Sequence, residues 1–199
     1  MEATKVLSSE HRVIEEFLIS LEKAAGRVEK GEDFKPEFFL KAAEFIQGFA
    51  DGCHHKKEEG VLFTTMGQKG VAVEGGPIGV MLAEHEQGRV YTRSLRSAAA
   101  KMASANGNTE DAGEVRLALV NAAYGYVSLL RQHIFKEDNI LFPLADRVIP
   151  LEEHDAILAG FETVEHEETG VGVHEKYLAL AQELAREADR PREQTPVFG

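Results

Sequence analysis

Two stretches of the chain, HHKKEEGVLF beginning at His54 and HIFKEDNILF beginning at His133, align without a gap and decide how the rest of the sequence is interpreted. Each stretch carries a glutamate four residues after its first histidine, Glu58 in one and Glu137 in the other. Four residues make about one turn of an α-helix, so the two side chains of each pair share one helix face. The spacing therefore predicts two helices that each present a histidine and a carboxylate in the same direction.

A smaller match precedes each of these stretches. Glu10-His11 lies upstream of the first and Glu84-His85 upstream of the second. The chain is therefore interpreted as a duplicated helix pair, in which one helix carries a lone histidine and the next carries the histidine-glutamate pair.

Four long segments with helical periodicity surround these motifs. In the first, apolar residues recur every three or four positions, as on one face of an amphipathic helix. The segments run from about Thr4 to Gly31, from Pro36 to the glycine-rich stretch 67–76, from Pro77 to 106–108, and from about Asp111 to Pro143. Thr4 is the expected N-cap of the first segment, and Pro143 is expected to break or bend the last turn of the fourth. Strand-like alternation is absent. We expect an all-α protein built on an antiparallel up-down four-helix bundle.

Two further helical stretches follow, at about 151–168 and 173–188, separated by Gly170-Val171-Gly172. We expect residues 1–145 to form the bundle, 146–190 a helical extension packed on it, and 191–199 a flexible tail without periodic pattern.

Amino-acid composition and net charge argue against several classes of function. The 199 residues include 43% hydrophobic ones, enough for a substantial core, and the formal net charge is -12. A surface this acidic is repelled by phosphate backbones and anionic lipids, which argues against nucleic-acid and membrane partners. A single cysteine excludes a disulfide framework and a zinc ribbon. With no transmembrane run and no signal peptide, we expect a cytoplasmic protein.

The four histidines of the repeat are expected to meet. His11 and His85 lie near the N-terminal ends of their helices, whereas His54 and His133 lie toward the C-terminal ends of theirs. In an up-down-up-down bundle these four ends are at the same end of the molecule. Unpaired imidazoles are costly to bury in an apolar layer, and a bound metal removes that cost.

The ligand types predict a dinuclear centre. A carboxylate can bridge two cations, and two histidine-glutamate pairs with two lone histidines supply both sides of such a centre. Imidazole and carboxylate without thiolate suit iron, manganese or zinc; we favour an iron pair and leave zinc and manganese open. The predicted metal ligands are His11, His54, Glu58, His85, His133 and Glu137, with His55 as a seventh candidate that could serve a different metal from His54.

With these residues the sequence resembles the hemerythrin-like, or HHE cation-binding, family of bacteria over about residues 1–145. The family signature H…HxxxE…H…HxxxE is carried here by the six ligands named first. Neighbouring residues, such as Phe49-Ala50-Asp51 and Gly88-Arg89, are also similar to those of the bacterial members. The resemblance implies a bundle with a non-heme di-iron site, bridged by the two carboxylates, that binds dioxygen or related small ligands.

The sequence also departs from the oxygen-carrying members of that family. They have a further histidine where this chain has Arg89, and their last carboxylate lies at the position of Asp138 rather than Glu137. We take Glu137 as the ligand, because it aligns with Glu58, and keep Asp138 as the alternative. The departures favour sensing or redox handling of dioxygen, peroxide or nitric oxide over oxygen carriage. A di-iron oxidase or peroxidase acting on peroxide, ferrous iron or a small organic substrate is the alternative.

Several nearby residues have simpler expected roles. Glu15 is interpreted as a surface carboxylate with an alternative role in orienting His11, and Arg89 as a salt-bridge partner of Glu84, Glu86 or a metal-bound anion. Cys53 and Tyr126 are interpreted as core packing. Three histidines outside the repeat are interpreted as surface or structural residues; these are His154, His166 and His174. The sequence identifies no protein partner.

Overall fold

The computed structural model describes residues 1–32, 34–104, 112–170 and 172–190. The predicted close of the third segment at 106–108, the predicted start of the fourth at Asp111 and the predicted flexible tail at 191–199 lie outside these ranges.

Four helical rods form the body of the molecule, and the described residues contain no strand. The all-α prediction is therefore confirmed. Helix α1 covers Glu2–Glu29 and α3 covers Pro77–Ser104. Helix α2 runs continuously over 36–68 through Pro36–Phe45, the π-helical segments Ile46–His55 and Glu58–Leu62, and Phe63–Gln68; α4 runs over 112–148 through Ala112–Lys136, the π-helical Glu137–Leu141, and Phe142–Val148.

Contacts along α1 and α4 show that these two rods are antiparallel. The terminal ammonium of Met1 lies 2.7 Å from Asp146, near the end of α4. Farther along α1, Glu29 accepts a hydrogen bond from the Tyr124 hydroxyl at 3.0 Å. Residue numbers thus rise on one rod as they fall on the other, as the up-down topology requires.

The predicted N-cap of α1, Thr4, was wrong by three residues, because the N-cap is Met1. The helix begins at Glu2, so Thr4 lies inside its first turn. The Thr4 hydroxyl donates to Asp146 at 2.9 Å and lies close to the Met1 carbonyl. Its oxygen also accepts from the Met1 ammonium at 3.2 Å, so Thr4 takes part in capping from inside the first turn and ties α1 to the end of α4 as well.

Pro143 does not end α4, which continues to Val148. The π-helical turn Glu137–Leu141 ends two residues before this proline. A wider turn changes which carbonyls accept hydrogen bonds, so a residue without an N–H can be accommodated there. Helix α2 has a π-helical turn at the equivalent position, Glu58–Leu62, so the two halves of the duplication share this backbone geometry as well as the sequence motif.

Apolar side chains form two clusters, one on each side of the layer that holds the repeat histidines. The main core fills the body of the bundle, and Ile14, Phe49, Leu95 and Leu130 belong to it. We call the other the cap cluster; its buried members are Ala3, Leu7, Leu62, Phe63, Met66, Ile78, Met81, Leu141, Phe142, Ala145, Ile149, Ile157 and Phe161. The rods thus continue past the histidine layer and close over it.

The C-terminal residues pack onto both clusters. Helix α5 covers His154–Thr163 and continues into the π-helical Val164–Thr169, and α6 covers Val173–Ala188. Phe161 of α5 joins the cap cluster, whereas Leu184 of α6 joins the main core. The division into domains at residue 145 stays a prediction. None of the described helices combines the length and apolar character needed to cross a bilayer.

Candidate metal centre

All seven predicted ligands converge in one buried layer between the main core and the cap cluster. Each is at most 2% exposed. Their donor atoms fall into two groups in which all atoms lie within 4.8 Å of one another; one group is His11, His54, Glu58 and Glu137, and the other is His55, Glu58, His85 and His133. Glu58 belongs to both groups, which is the arrangement expected of a carboxylate that bridges two cations.

The two carboxylates lie between the histidines of the two groups. Glu58 places Oε1 3.4 Å from Nε2 of His54 and Oε2 3.5 Å from Nε2 of His85. Glu137 places Oε2 3.2 Å from Nε2 of both His11 and His133. Each carboxylate therefore reaches imidazoles from both groups.

The adjacent residues His54 and His55 both face inward, and they lie where the backbone of α2 is widened. In a regular α-helix neighbouring side chains diverge by about 100°. Both histidines end the π-helical segment Ile46–His55, whose wider turns reduce that divergence. The equivalent stretch of α4 is regular α-helix, and there the residue that follows His133, Ile134, is also only 2% exposed. Burial of the residue after the histidine therefore does not depend on the wider turns, and the two halves of the centre differ here in side chain, an imidazole in α2 and an apolar side chain in α4.

Each of the five histidines donates its Nδ1 hydrogen to a carboxylate that lies outside both groups. We call these the outer carboxylates. The pairs are His11 with Asp138 at 2.8 Å, His54 with Glu10 at 2.9 Å, His55 with Asp51 at 2.9 Å, His85 with Glu59 at 2.7 Å and His133 with Glu84 at 3.0 Å. An Nδ1–H that donates outward fixes the tautomer, so Nε2 presents a lone pair to the interior.

Sequence reasoning missed the role of the outer carboxylates, although their positions repeat. Glu10, which precedes His11, supports His54 on the neighbouring rod, and Glu84 supports His133 in the same way. Asp138, the alternative metal ligand, lies on the Nδ1 side of His11 and outside both groups. The geometry therefore favours Glu137 over Asp138 as the inward carboxylate.

Glu15, the alternative orienting partner of His11, instead pairs with Arg12 at 2.9 Å on the surface. Its interpretation as a surface carboxylate agrees with this contact. Asp138 takes the orienting position, because Ser8 also donates to it at 2.9 Å and holds it beside His11.

Basic side chains neutralise the outer carboxylates in turn. Arg12 pairs with Asp138, Lys57 with Glu10, and Lys136 with Glu84. Arg89 donates to Glu59 at 2.6 Å, and its Nε lies 3.5 Å from Asp51. Of its predicted partners, Glu86 lies 3.6 Å away, whereas Glu84 is paired with Lys136 instead.

The inward-facing atoms fit a metal pair. The side-chain atoms without a hydrogen-bond partner include Nε2 of His11, His54 and His55 and all four oxygens of Glu58 and Glu137. Nε2 of His85 lies 3.1 Å from Nε2 of His133. Two lone pairs at that distance repel, and buried polar atoms without partners cost free energy, so the layer requires positive charge within it.

Without metal, protons supply part of that charge. Burial lowers the pKa of His133, but Glu137 and Glu84 raise it to about 9. Burial lowers the pKa of His54 to about 4 despite its bond to Glu10. Burial and the charge of Glu137 raise the pKa of Glu58 well above its usual value. Because metals bind neutral imidazole and ionised carboxylate, loading must displace these protons.

Other residues singled out in the sequence lie at the edges of the layer. Cys53 is buried, and burial raises its pKa to about 11, which fits the packing role that was predicted. Tyr126 is buried in the main core, and its hydroxyl has no hydrogen-bond partner among the described residues. His166 is exposed, and His154 Nε2 lies 3.3 Å from the Ile149 carbonyl.

His174, interpreted from the sequence as a surface or structural residue, is partly buried beside α1 and α2. Its Nδ1 lies 4.0 Å from Oε1 of Glu10 and 3.9 Å from Sγ of Cys53. The contact joins α6 to α1 and α2. No spacing along the sequence could have indicated it, because it depends on how the extension packs.

A helical bundle that holds five imidazoles and two carboxylates facing each other in a buried layer is a cation-binding bundle. The sequence profile of the hemerythrin HHE cation-binding domain matches residues 2–145, and the chain belongs to that family. The family assignment drawn from the sequence motifs is thereby confirmed.

Curated relatives add no further description of function. The chain is 23% identical over 168 residues to uncharacterized proteins of Mycobacterium bovis and of two strains of Mycobacterium tuberculosis. The match covers 84% of this chain and 63% of each relative, so the chain spans under two thirds of their length. No solved structure matches the chain significantly.

Proposed function

We propose that this protein holds a carboxylate-bridged iron pair and uses it to bind dioxygen, peroxide or nitric oxide in sensing or redox handling. The observation that carries the proposal is the presence of two buried ligand groups that share Glu58. Each group offers imidazole nitrogens and carboxylate oxygens, and Glu137 contacts histidines of both groups.

The donor set supports iron first. Neither group contains a thiolate, because Cys53 lies outside both of them. Neutral imidazole with carboxylate suits iron, zinc and manganese. A bridged pair of redox-active ions can exchange electrons with a bound ligand, whereas a pair of zinc ions cannot. Zinc or manganese is the alternative that metal analysis would reveal. When bound, an iron pair supplies the capacity to coordinate and reduce a small oxidant.

The surroundings of the layer favour a small ligand. A surface groove of about 440 Å³ is lined by Arg12, Asp138 and Phe142, and another of about 500 Å³ is lined by Glu59. None of the seven inward-facing residues lines either groove. A diatomic molecule or peroxide can cross the remaining shell when side chains fluctuate, whereas a large organic substrate would need the bundle to open.

The two groups differ in a way that suggests where such a ligand binds. One group has the imidazoles of His11 and His54, and the other has those of His55, His85 and His133. With both carboxylates bridging, the ion beside His11 and His54 would have one protein ligand fewer than the other ion, which leaves more of its coordination sphere to an outside ligand. Phe142, which stacks on His11 with ring centroids 5.4 Å apart, separates that side from the 440 Å³ groove.

The alternative function is a di-iron oxidase or peroxidase that acts on peroxide, ferrous iron or a small organic substrate. It shares the same ligands and differs in whether the site turns over. The observation that supports an enzyme is the set of outer carboxylates bonded to the histidines, which could hold or pass protons during reduction of an oxidant.

Metal analysis combined with absorption spectroscopy tests the proposal. Protein loaded with ferrous iron without air should hold two iron ions per chain and develop near-ultraviolet and visible charge-transfer bands on exposure to air, nitric oxide or peroxide. Absence of both the iron and the bands would refute it. Stoichiometric reaction with peroxide supports binding or sensing, whereas many turnovers per iron pair support the enzyme.

A further inference from the structure

The C-terminal extension reaches the metal centre through one buried lysine. Lys57 of α2 is 0% exposed, and its ammonium donates to Glu10 of α1 and to Glu165 of α5. Glu10 uses its other oxygen, Oε2, to accept the Nδ1 hydrogen of His54 at 2.9 Å. A continuous chain of charged hydrogen bonds therefore runs from α5 to one of the inward-facing imidazoles.

Close packing holds the extension in this position. A Cβ added at Gly160 of α5 would lie 2.8 Å from Val61 of α2, and one added at Gly48 of α2 would overlap the ring of Tyr177 of α6. Both glycines permit the backbone of α2 to approach the extension more closely than any larger residue would. Glu165 is thereby placed beside Lys57 instead of being left in solvent.

The lysine ammonium also explains a second cluster of potential ligands. Glu10, Cys53, Glu165 and His174 bring donor atoms within 4.8 Å of one another. Because the ammonium of Lys57 bonds to both carboxylates of this cluster, the cluster already contains its cation. Its geometry is that of a buried charge network, and we assign no metal to it.

The duplicated half of the protein shows what the extension adds. Lys136 pairs with Glu84, which supports His133, just as Lys57 pairs with Glu10. Lys136 is 31% exposed, however, and among the described residues it has no carboxylate partner from the extension. The extension therefore buries and neutralises the basic residue on one side of the centre only.

We propose that Glu165 is a positioning residue for the metal centre, acting through Lys57 and Glu10 on the imidazole of His54. The inference rests on the proposed metal pair. With Glu165 in place, the charge of Lys57 is balanced by two carboxylates, so Glu10 remains a strong acceptor for the His54 hydrogen. Without Glu165, Lys57 is balanced by Glu10 alone, and the imidazole becomes a poorer electron donor.

The test compares Glu165→Gln with Glu153→Gln in the full chain loaded with iron. Glu153 of the extension also accepts from a lysine, Lys69 just after the end of α2, at 2.5 Å. Among the described residues no hydrogen bond connects that bridge to a histidine of the centre. Loss of a carboxylate that supports a ligand typically weakens metal binding by about 10–100-fold. We expect Glu165→Gln to release one of two irons to a chelator about tenfold faster, and to shift the absorption spectrum and raise the reduction potential. Glu153→Gln should leave all three unchanged.

A second pair of variants separates positioning from general loosening. Lys57→Met should accelerate release of the same iron, and Lys57→Arg, which keeps the charge and can reach both carboxylates, should restore most of the retention. Identical iron release, spectra and potentials in Glu165→Gln and Glu153→Gln would overturn the inference while leaving the proposed function intact. Wild-type protein that holds no iron pair would overturn the proposed function itself.

Discussion

Raising the pH should destabilise the metal-free protein through His133. Burial lowers the pKa of this histidine, but Glu137 and Glu84 together raise it to about 9 in the folded state. In the unfolded chain its pKa returns to about 6.5. The folded state therefore binds a proton more tightly than the unfolded state. The resulting stabilisation is present in full below about pH 6.5 and is lost as the pH rises through about 9.

The size of the effect follows from the two pKa values. One pKa unit corresponds to about 1.4 kcal/mol, so the proton on His133 stabilises the folded state by at most about 3 to 4 kcal/mol. Between about pH 7 and pH 9 the free energy of unfolding should fall by about 2 kcal/mol. His11 adds to the fall, because Asp138 and Glu137 outweigh its burial and raise its pKa as well. The lowered pKa of His54, about 4, does not contribute in this range, since that residue is neutral in both states.

Urea denaturation of chelator-treated protein, followed by far-ultraviolet circular dichroism across this pH range, measures the fall. His133→Gln should remove most of it, whereas His166→Gln, at an exposed position, should retain it. Iron-loaded protein should not show the decline, because the metal requires the deprotonated imidazole. Stability of the metal-free protein that stays constant or rises from about pH 7 to pH 9, or an equal fall in His133→Gln, would refute the reasoning.

Two further predictions concern the loaded protein. Glu58→Ala should abolish binding of both irons and lower the melting temperature of iron-supplemented protein, because this carboxylate belongs to both ligand groups. His166→Ala should change neither the iron content nor the melting temperature. Metal analysis and calorimetry check this, and equal effects of the two variants would show that the assignment is wrong. Phe142→Leu should speed azide binding by iron-loaded protein several-fold by thinning the wall between the groove and His11, at a cost of about 1–2 kcal/mol in stability. Phe63→Leu is the matched control, since Phe63 faces His85 at 6.0 Å and does not line that groove; stopped-flow traces that are the same for both variants would contradict the proposed route.

Much of the fold and the inward-facing set could be predicted because the relevant rules are local. The spacing of His54 and Glu58 determines that both lie on one helix face whatever the helix packs against. The same holds for His133 and Glu137, and the two agree in register because the sequence is duplicated. His55 was harder to place, since adjacent side chains of a regular helix diverge by about 100° and helical spacing alone does not put both on one face.

Residues whose roles depend on a neighbouring rod were not predictable in the same way. Asp138 appeared as an alternative to Glu137, but the structure places it on the outer side of His11. Its role depends on the rotation of α4 about its axis, and that rotation is set by packing along the whole rod. The contacts of His174 with Glu10 and Cys53 could not be predicted, because the sequence carries no signal for how α6 docks on α2.

The amino-acid sequence by itself determined the helices, the duplication and the face on which each metal-ligating side chain lies, because helical periodicity is a property of a few consecutive residues. Only the tertiary structure decided which carboxylate supports which imidazole and that Glu165 reaches Lys57, 108 positions earlier. Such pairings span separate rods, and their distances follow from the depth, rotation and approach of helices that the packing of both apolar clusters fixes together.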